Sequence, residues 1–256
     1  MSRPRATAWI GWALALLAIV LFTRLGMWQS ARAQEKAAML EAAAQVLQAR
    51  RAVPLAQAAD PARARSFDWA QGRGRFDARP ALLLDHQQRA GRVGVRTYRV
   101  FVPEDGAPLL VDLGWRALPG TRELPPTPRI DGVFELRGLL APPPSTGLAL
   151  GAAIQDAADA GDASNSRDPA ATRDAGDAWL LARMDMPAIA ARTGLVLAPR
   201  VLRLDPALPL GYDRDLELLA NTLTPDKHRG YALQWFALAL AVFVTACVLT
   251  LRRKTP

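Results

Sequence analysis

The chain is poor in the side chains that carry most protein chemistry. Its 256 residues include one cysteine, two histidines, three tyrosines and three lysines, the other 29 of its 32 cationic residues being arginine. A single cysteine, Cys247, excludes an intramolecular disulfide and a thiolate metal cluster. The histidines are His86 and His228, and no HExxH, GxSxG, P-loop or GxGxxG arrangement is present, so the chain reads as a non-enzyme. The aspartates between 156 and 177 lack the spacing of an EF-hand and read as a solvated loop. Scarce lysine beside abundant arginine and alanine points to a GC-rich bacterial genome. No transit-type segment precedes the first apolar run, which argues against a mitochondrial precursor.

Long apolar runs, by contrast, are present, and there are two. Tyr231 to Leu251 is 21 residues, which at about 1.5 Å per residue matches a hydrocarbon core of roughly 30 Å. Ala6 to Thr23 is an uncharged stretch near the lower limit for a span. A cleavable signal peptide is the competing reading, because Ala31-Arg32-Ala33 offers a small-x-small site. That site lies well beyond the apolar core, with Arg24 and Arg32 in between, which favours a retained anchor. Arg3, Arg5, Arg252, Arg253 and Lys254 flank the two runs without acidic neighbours. The positive-inside rule therefore puts both termini in the cytoplasm and displays residues 24 to 230 on the periplasmic side of a bacterial inner membrane. Those tails account for five of the net eight positive charges. The rest of the chain has no basic block interleaved with aromatics, so no nucleic-acid partner is expected, and the excess charge encodes topology.

Between the runs, residues 24–50 are rich in Ala, Gln, Glu and Leu and free of proline, which predicts an amphipathic helical extension of the first span. Residues 51–230 then show short strand-like segments broken by Gly, Pro and Asp. In "GVFELRGLL", Phe134, Leu136 and Leu140 alternate with Glu135 and Arg137, the period of a half-buried strand. Helical patterns do not alternate with the strands, so the fold class is α+β, two transmembrane helices around a mainly antiparallel sheet or open barrel. "MPAIAARTG" predicts a short helix with Pro187 early and Gly194 past its end. "LVLAPRVLRLDP" predicts one or two strands, "DHQQR" a turn carrying His86, and residues 151–177, almost without large apolar side chains, a flexible insertion.

Four passages together resemble the surfeit locus protein 1 family, assembly factors for haem–copper cytochrome c oxidase. "RLGMWQSARAQEK" is similar to the family's Gly-x-Trp-Gln-x-x-Arg-x-x-x-Lys, here Gly26, Trp28, Gln29, Arg32 and Lys36. "LLVDLGWRALPG" is similar to its strand ending in Gly-Trp, here Gly114 and Trp115. "LRGLLAPPPSTG" is similar to its Gly-x-x-x-Pro turn. "HRGYALQWF" is similar to the His-x-x-Tyr-x-x-x-Trp-Phe/Tyr that opens its second span. One departure is Asp112-Leu113 where the family has Asn-Arg, which predicts no polar role at that strand end.

The resemblance implies an assembly factor that works with oxidase subunit I and the haem a synthesis machinery. In bacterial members it also implies haem a binding, with His228 as iron ligand. On a helix His228, Tyr231 and Trp235 fall within an arc of about 60°, one imidazole beside two flat rings. Arg24, Trp28, Arg32 and Lys36 step by four, a cationic ladder able to hold haem propionates. The alternative is an interfacial belt, in which Trp28, Tyr231 and Trp235 anchor in membrane lipid and Arg24 meets lipid phosphate. Other readings are an oxidase scaffold without haem and a membrane-tethered periplasmic accessory protein.

Overall fold

The structure is a computed structural model that describes residues 3–118, 124–144, 151–156, 178–218 and 222–252, with side chains from residue 9. It divides into two compact units, residues 1–41 with 222–256, and residues 42–221.

The described part of the first unit is largely two helices. Helix α1 (Arg3–Ala49) contains its long uninterrupted stretch, and a second helix, which becomes α3 in chain order, spans Pro225–Arg252. Both are long and apolar enough to cross a membrane, by length and composition. The second starts on a Thr-Pro-Asp signature. Thr224 Oγ1 accepts from Lys227 N, Pro225 gives up no needed N–H, and Asp226 complements the positive end of the helix dipole. The helices run antiparallel. Trp12 Nε1 donates to Thr250 Oγ1 at 3.0 Å near one end, and Gly26 abuts Phe236 toward the other. A Cβ at Gly26 would come within 2.6 Å of the Phe236 ring, so glycine here leaves room for that ring against α1.

The second unit is built on nine strands: β1 (Ala52–Pro54), β2 (Asp68–Phe76), β3 (Ala81–Arg89), β4 (Arg92–Pro103), β5 (Leu109–Ala117), β6 (Phe134–Ala141), β7 (Ile154–Asp156), β8 (Ala178–Leu181) and β9 (Val201–Leu204). The short helix α2 (Met186–Thr193) lies between β8 and β9. Most pairings are antiparallel, with β1–β2, β3–β8 and β5–β9 parallel. The architecture is thus α+β, with long apolar helices at both ends of the chain and an antiparallel-rich sheet from its central part.

An open barrel was one expectation; the pairing closes it. Strands run β2–β6–β9–β5–β4, and β4 returns to β2 through Gly74↔Pro103, Arg75↔Val102 and Phe76↔Phe101. Strand β4 can do this because it is 12 residues long. Its first part pairs with β3 and its last three residues with β2. Strands β3, β8 and β7 continue as a side sheet.

Alternation along β5 then serves two cores. Leu109, Val111 and Leu113 join Phe76, Phe101, Leu136, Leu140, Leu202 and Leu204 in one, whereas Leu110 joins Leu82, Tyr98, Val100, Leu181 and Ile189 of α2 in the other. Each such buried side chain contributes roughly 1.5–3 kcal/mol relative to exposure. Helix α2 forms as its sequence predicts. Asp185 accepts from Ala188 N, Pro187 sits in the first turn, and Gly194 closes the helix in the left-handed conformation at φ 67°.

Two local expectations need correction. His86 lies within β3, not in a turn; it occupies a β-bulge between Leu84 and Gln87 at φ 57°, where Asp85 Oδ1 accepts from its backbone N–H. "LVLAPRVLRLDP" supplies one strand, Val201–Leu204, within the one or two expected. Ile154–Asp156, at the start of the expected insertion, is strand β7, paired with β8. The remainder of that insertion, 157–177, lies outside the described residues.

Candidate functional site

In the helical unit the structure separates residues that the sequence grouped. His228 is 6% exposed, one turn into α3, and its Nδ1 lies 2.7 Å from Oε1 of Gln29 on α1. Its Nε2 is buried and has no hydrogen-bond partner. Such an orphaned lone pair carries a cost unless something else takes it. Trp235 shares that face and packs on Phe22, ring centroids 5.6 Å apart. Tyr231 and Trp28 are exposed instead.

The reason is the spacing of the seam. His228, Ala232 and Ala239 are the buried residues of α3, and Trp235 is half-buried. Offsets of four, seven and eleven residues return within about 40° of His228, whereas Tyr231 falls about 60° to one side. Small alanines at the seam leave room for the larger side chains beside them.

Two of the α1 cations are already engaged. Arg32 pairs with Glu35 at 2.7 Å in an exposed contact, and Lys36 Nζ donates to Leu223 O at 2.7 Å. Arg24 is exposed. Among the described residues no group of three or more His, Cys, Asp or Glu could hold a metal ion. The chemistry available here is therefore that of one imidazole. An unpartnered Nε2 beside an engaged Nδ1 suits a single metal bond and fits no multi-ligand site.

The β unit holds a polar network that the sequence did not reveal. Asp112 accepts from Arg96 Nη1 at 2.7 Å and, through Oδ1, from Gly114 N at 3.0 Å. Arg203 lies 3.7 Å from the same carboxylate and donates to Glu217 O at 2.8 Å. Asp112 thus has a polar role, contrary to expectation. Its partners come from β4 and β9, too far along the chain for local spacing to signal. Burial opposes the charge on Arg96, but Asp112 outweighs it and raises the guanidinium pKa. For Arg203 burial wins and lowers it. Burial also pushes the Tyr98 phenol up.

Gly114 adopts φ 115°, and a Cβ there would meet Asp213 O at 2.8 Å. Trp115 follows it into the core and donates Nε1–H to Gln87 O at 3.2 Å. The Gly-Trp pair is therefore a strand-end packing device.

Fold and site define a class: a chain with membrane-length helices toward its two ends, a small closed β-barrel in the sequence that separates them, and one buried histidine on the helix seam. The model described as SURF1 family matches residues 16–240. The chain belongs to the SURF1 family, an assembly-factor family associated with cytochrome oxidase assembly and not a known enzyme family. No curated protein matches it in sequence.

Proposed function

We propose that this chain is a two-span inner-membrane protein that binds haem a through His228 and promotes its delivery to subunit I of cytochrome c oxidase. The observation that carries the haem reading is the buried, unpartnered Nε2 of His228 beside an Nδ1 already engaged by Gln29. An imidazole so arranged is prepared to ligate iron through one nitrogen. Haem a is the cargo, received from its synthesis machinery and passed on. Trp235 lies two turns further along the same face of α3, packed on Phe22. Trp28 and Tyr231, exposed at headgroup depth, anchor in lipid and border the macrocycle, while Arg24 and Arg32 meet its propionates.

The terminal cations support an orientation with both termini cytoplasmic and the β domain periplasmic. Alkaline phosphatase fused after residue 60 or residue 215 should be active, and fused after residue 254 inactive. Active enzyme at the C-terminal fusion would reverse the orientation. For the function, deleting the gene should leave oxidase subunit I made but depleted of haem a, with oxidase activity reduced severalfold. Full haem occupancy in the deletion strain would contradict a delivery role.

A further inference from the structure

Gln29 occurs within the family-like motif, yet no role for its side chain follows from that motif. The structure gives it one. Gln29 and His228 are 199 residues apart in sequence and on different helices, and their polar atoms meet at 2.7 Å on the seam. The carboxamide turns Oε1, which has lone pairs and no proton, toward Nδ1, and in that orientation the contact is a hydrogen bond only with the proton on Nδ1. Neutral imidazole carries one N–H, which leaves Nε2 bare. Free histidine in water favours the opposite tautomer. Nε2 on the far side is buried with no hydrogen-bond partner, so Gln29 is the one polar contact that acts on the tautomer among the described residues.

We propose that Gln29 is a positioning residue that fixes His228 in the Nδ1-protonated tautomer and so selects Nε2 as the nitrogen presented to a metal. The functional consequence rests on the reading of His228 as a haem ligand; the tautomer assignment does not. A carboxamide acceptor also sets the strength of the bond. It orients the ring as a carboxylate would, but withdraws less of the Nδ1 proton and so makes the imidazole a weaker donor to iron. That suits a protein that must release its haem. Gln29 is not a catalytic residue, since it touches neither cargo nor iron.

The test uses the full-length chain in detergent micelles, without haem, labelled with ¹⁵N-histidine. Only His86 and His228 contribute, and a His86→Gln variant assigns them. In the wild type His228 should show a protonated Nδ1 and a bare Nε2. Gln29→Glu, which keeps an acceptor, should preserve that pattern, and Gln29→Leu should shift it toward protonated Nε2. A proton on Nε2 in the wild type, or an unchanged tautomer in Gln29→Leu, would overturn the proposal.

Haem a titration gives the second readout. Gln29→Leu should bind about 10–100-fold more weakly, the usual cost of losing an outer-shell hydrogen bond. Gln29→Glu should bind at least as tightly as wild type and lower the midpoint potential of bound haem. A merely structural Gln29 would change helix pairing without moving tautomer or potential. If the tautomers behave as expected but the wild-type chain takes up no haem, the ligand reading fails and the positioning assignment stands.

Discussion

Replacing Asp68 with alanine should destabilise the β domain by about 3–5 kcal/mol, the usual cost of stranding one member of a buried ion pair. Arg200 is fully buried, and its Nη1 lies 2.5 Å from Asp68 Oδ2. Its other contact is with the Gln57 carbonyl, and Nε has no partner. Asp68 also receives Arg63, with Nε at 3.1 Å. Without the carboxylate, a buried guanidinium keeps one carbonyl against a large desolvation penalty. The expected loss is a large part of the roughly 5–15 kcal/mol that holds a typical domain together. Thermal unfolding in detergent should show it as a lower midpoint and reduced yield. The double variant Asp68→Leu/Arg200→Met, which removes both charges, should recover much of the loss.

The same carboxylate predicts an acid limit. Burial pushes Asp68 upward, but hydrogen bonds from Arg63 and Arg200 outweigh it and hold the pKa below its ordinary value. A depressed folded pKa means that the stabilisation is complete above the unfolded value of about 4 and disappears as pH falls through the folded value. Stability of the wild type should therefore drop below about pH 4 more steeply than that of Asp68→Ala.

Replacing His228 with alanine should have the opposite profile: little effect on the fold and a large one on haem. Alanine is a strong helix former, and the seam of α3 already carries Ala232 and Ala239. The substitution removes one interhelical hydrogen bond, worth about 1 kcal/mol, and leaves behind only the partly exposed Gln29. It also removes an orphaned buried nitrogen. Membrane insertion and abundance should stay near wild type. Haem a affinity should fall by more than the about 10–100-fold expected from loss of an outer hydrogen bond, because the metal bond itself is gone.

Much of this architecture was legible in local sequence. The end helices follow from apolar length, α2 from Asp185, Pro187 and Gly194, and β6 from the alternation of Phe134, Glu135, Leu136 and Arg137. Barrel closure was not legible, because it depends on β4 changing partners midway, and nothing in Arg92–Pro103 marks which neighbour each half will meet. Arg200 carried no warning either: in "LAPRVL" it looks like any arginine beside a strand, and its burial depends on Asp68, 132 residues earlier. At the site, the 100° arithmetic correctly put His228 and Trp235 on one face. It could not say which edge of the arc faces the partner helix, so Tyr231 was grouped with residues from which the seam separates it. Gln29 was visible as a motif letter but not as a hydrogen-bond partner.

The central claim is that His228 holds haem a, and the optical spectrum of the purified full-length chain tests it most directly. The protein should be prepared from cells that make haem a, beside His228→Ala from the same strain. The account predicts a Soret band with one haem a per wild-type chain, and its loss in a His228→Ala protein of normal abundance. Wild-type protein free of haem, or a His228→Ala protein with the same band and stoichiometry, would contradict it.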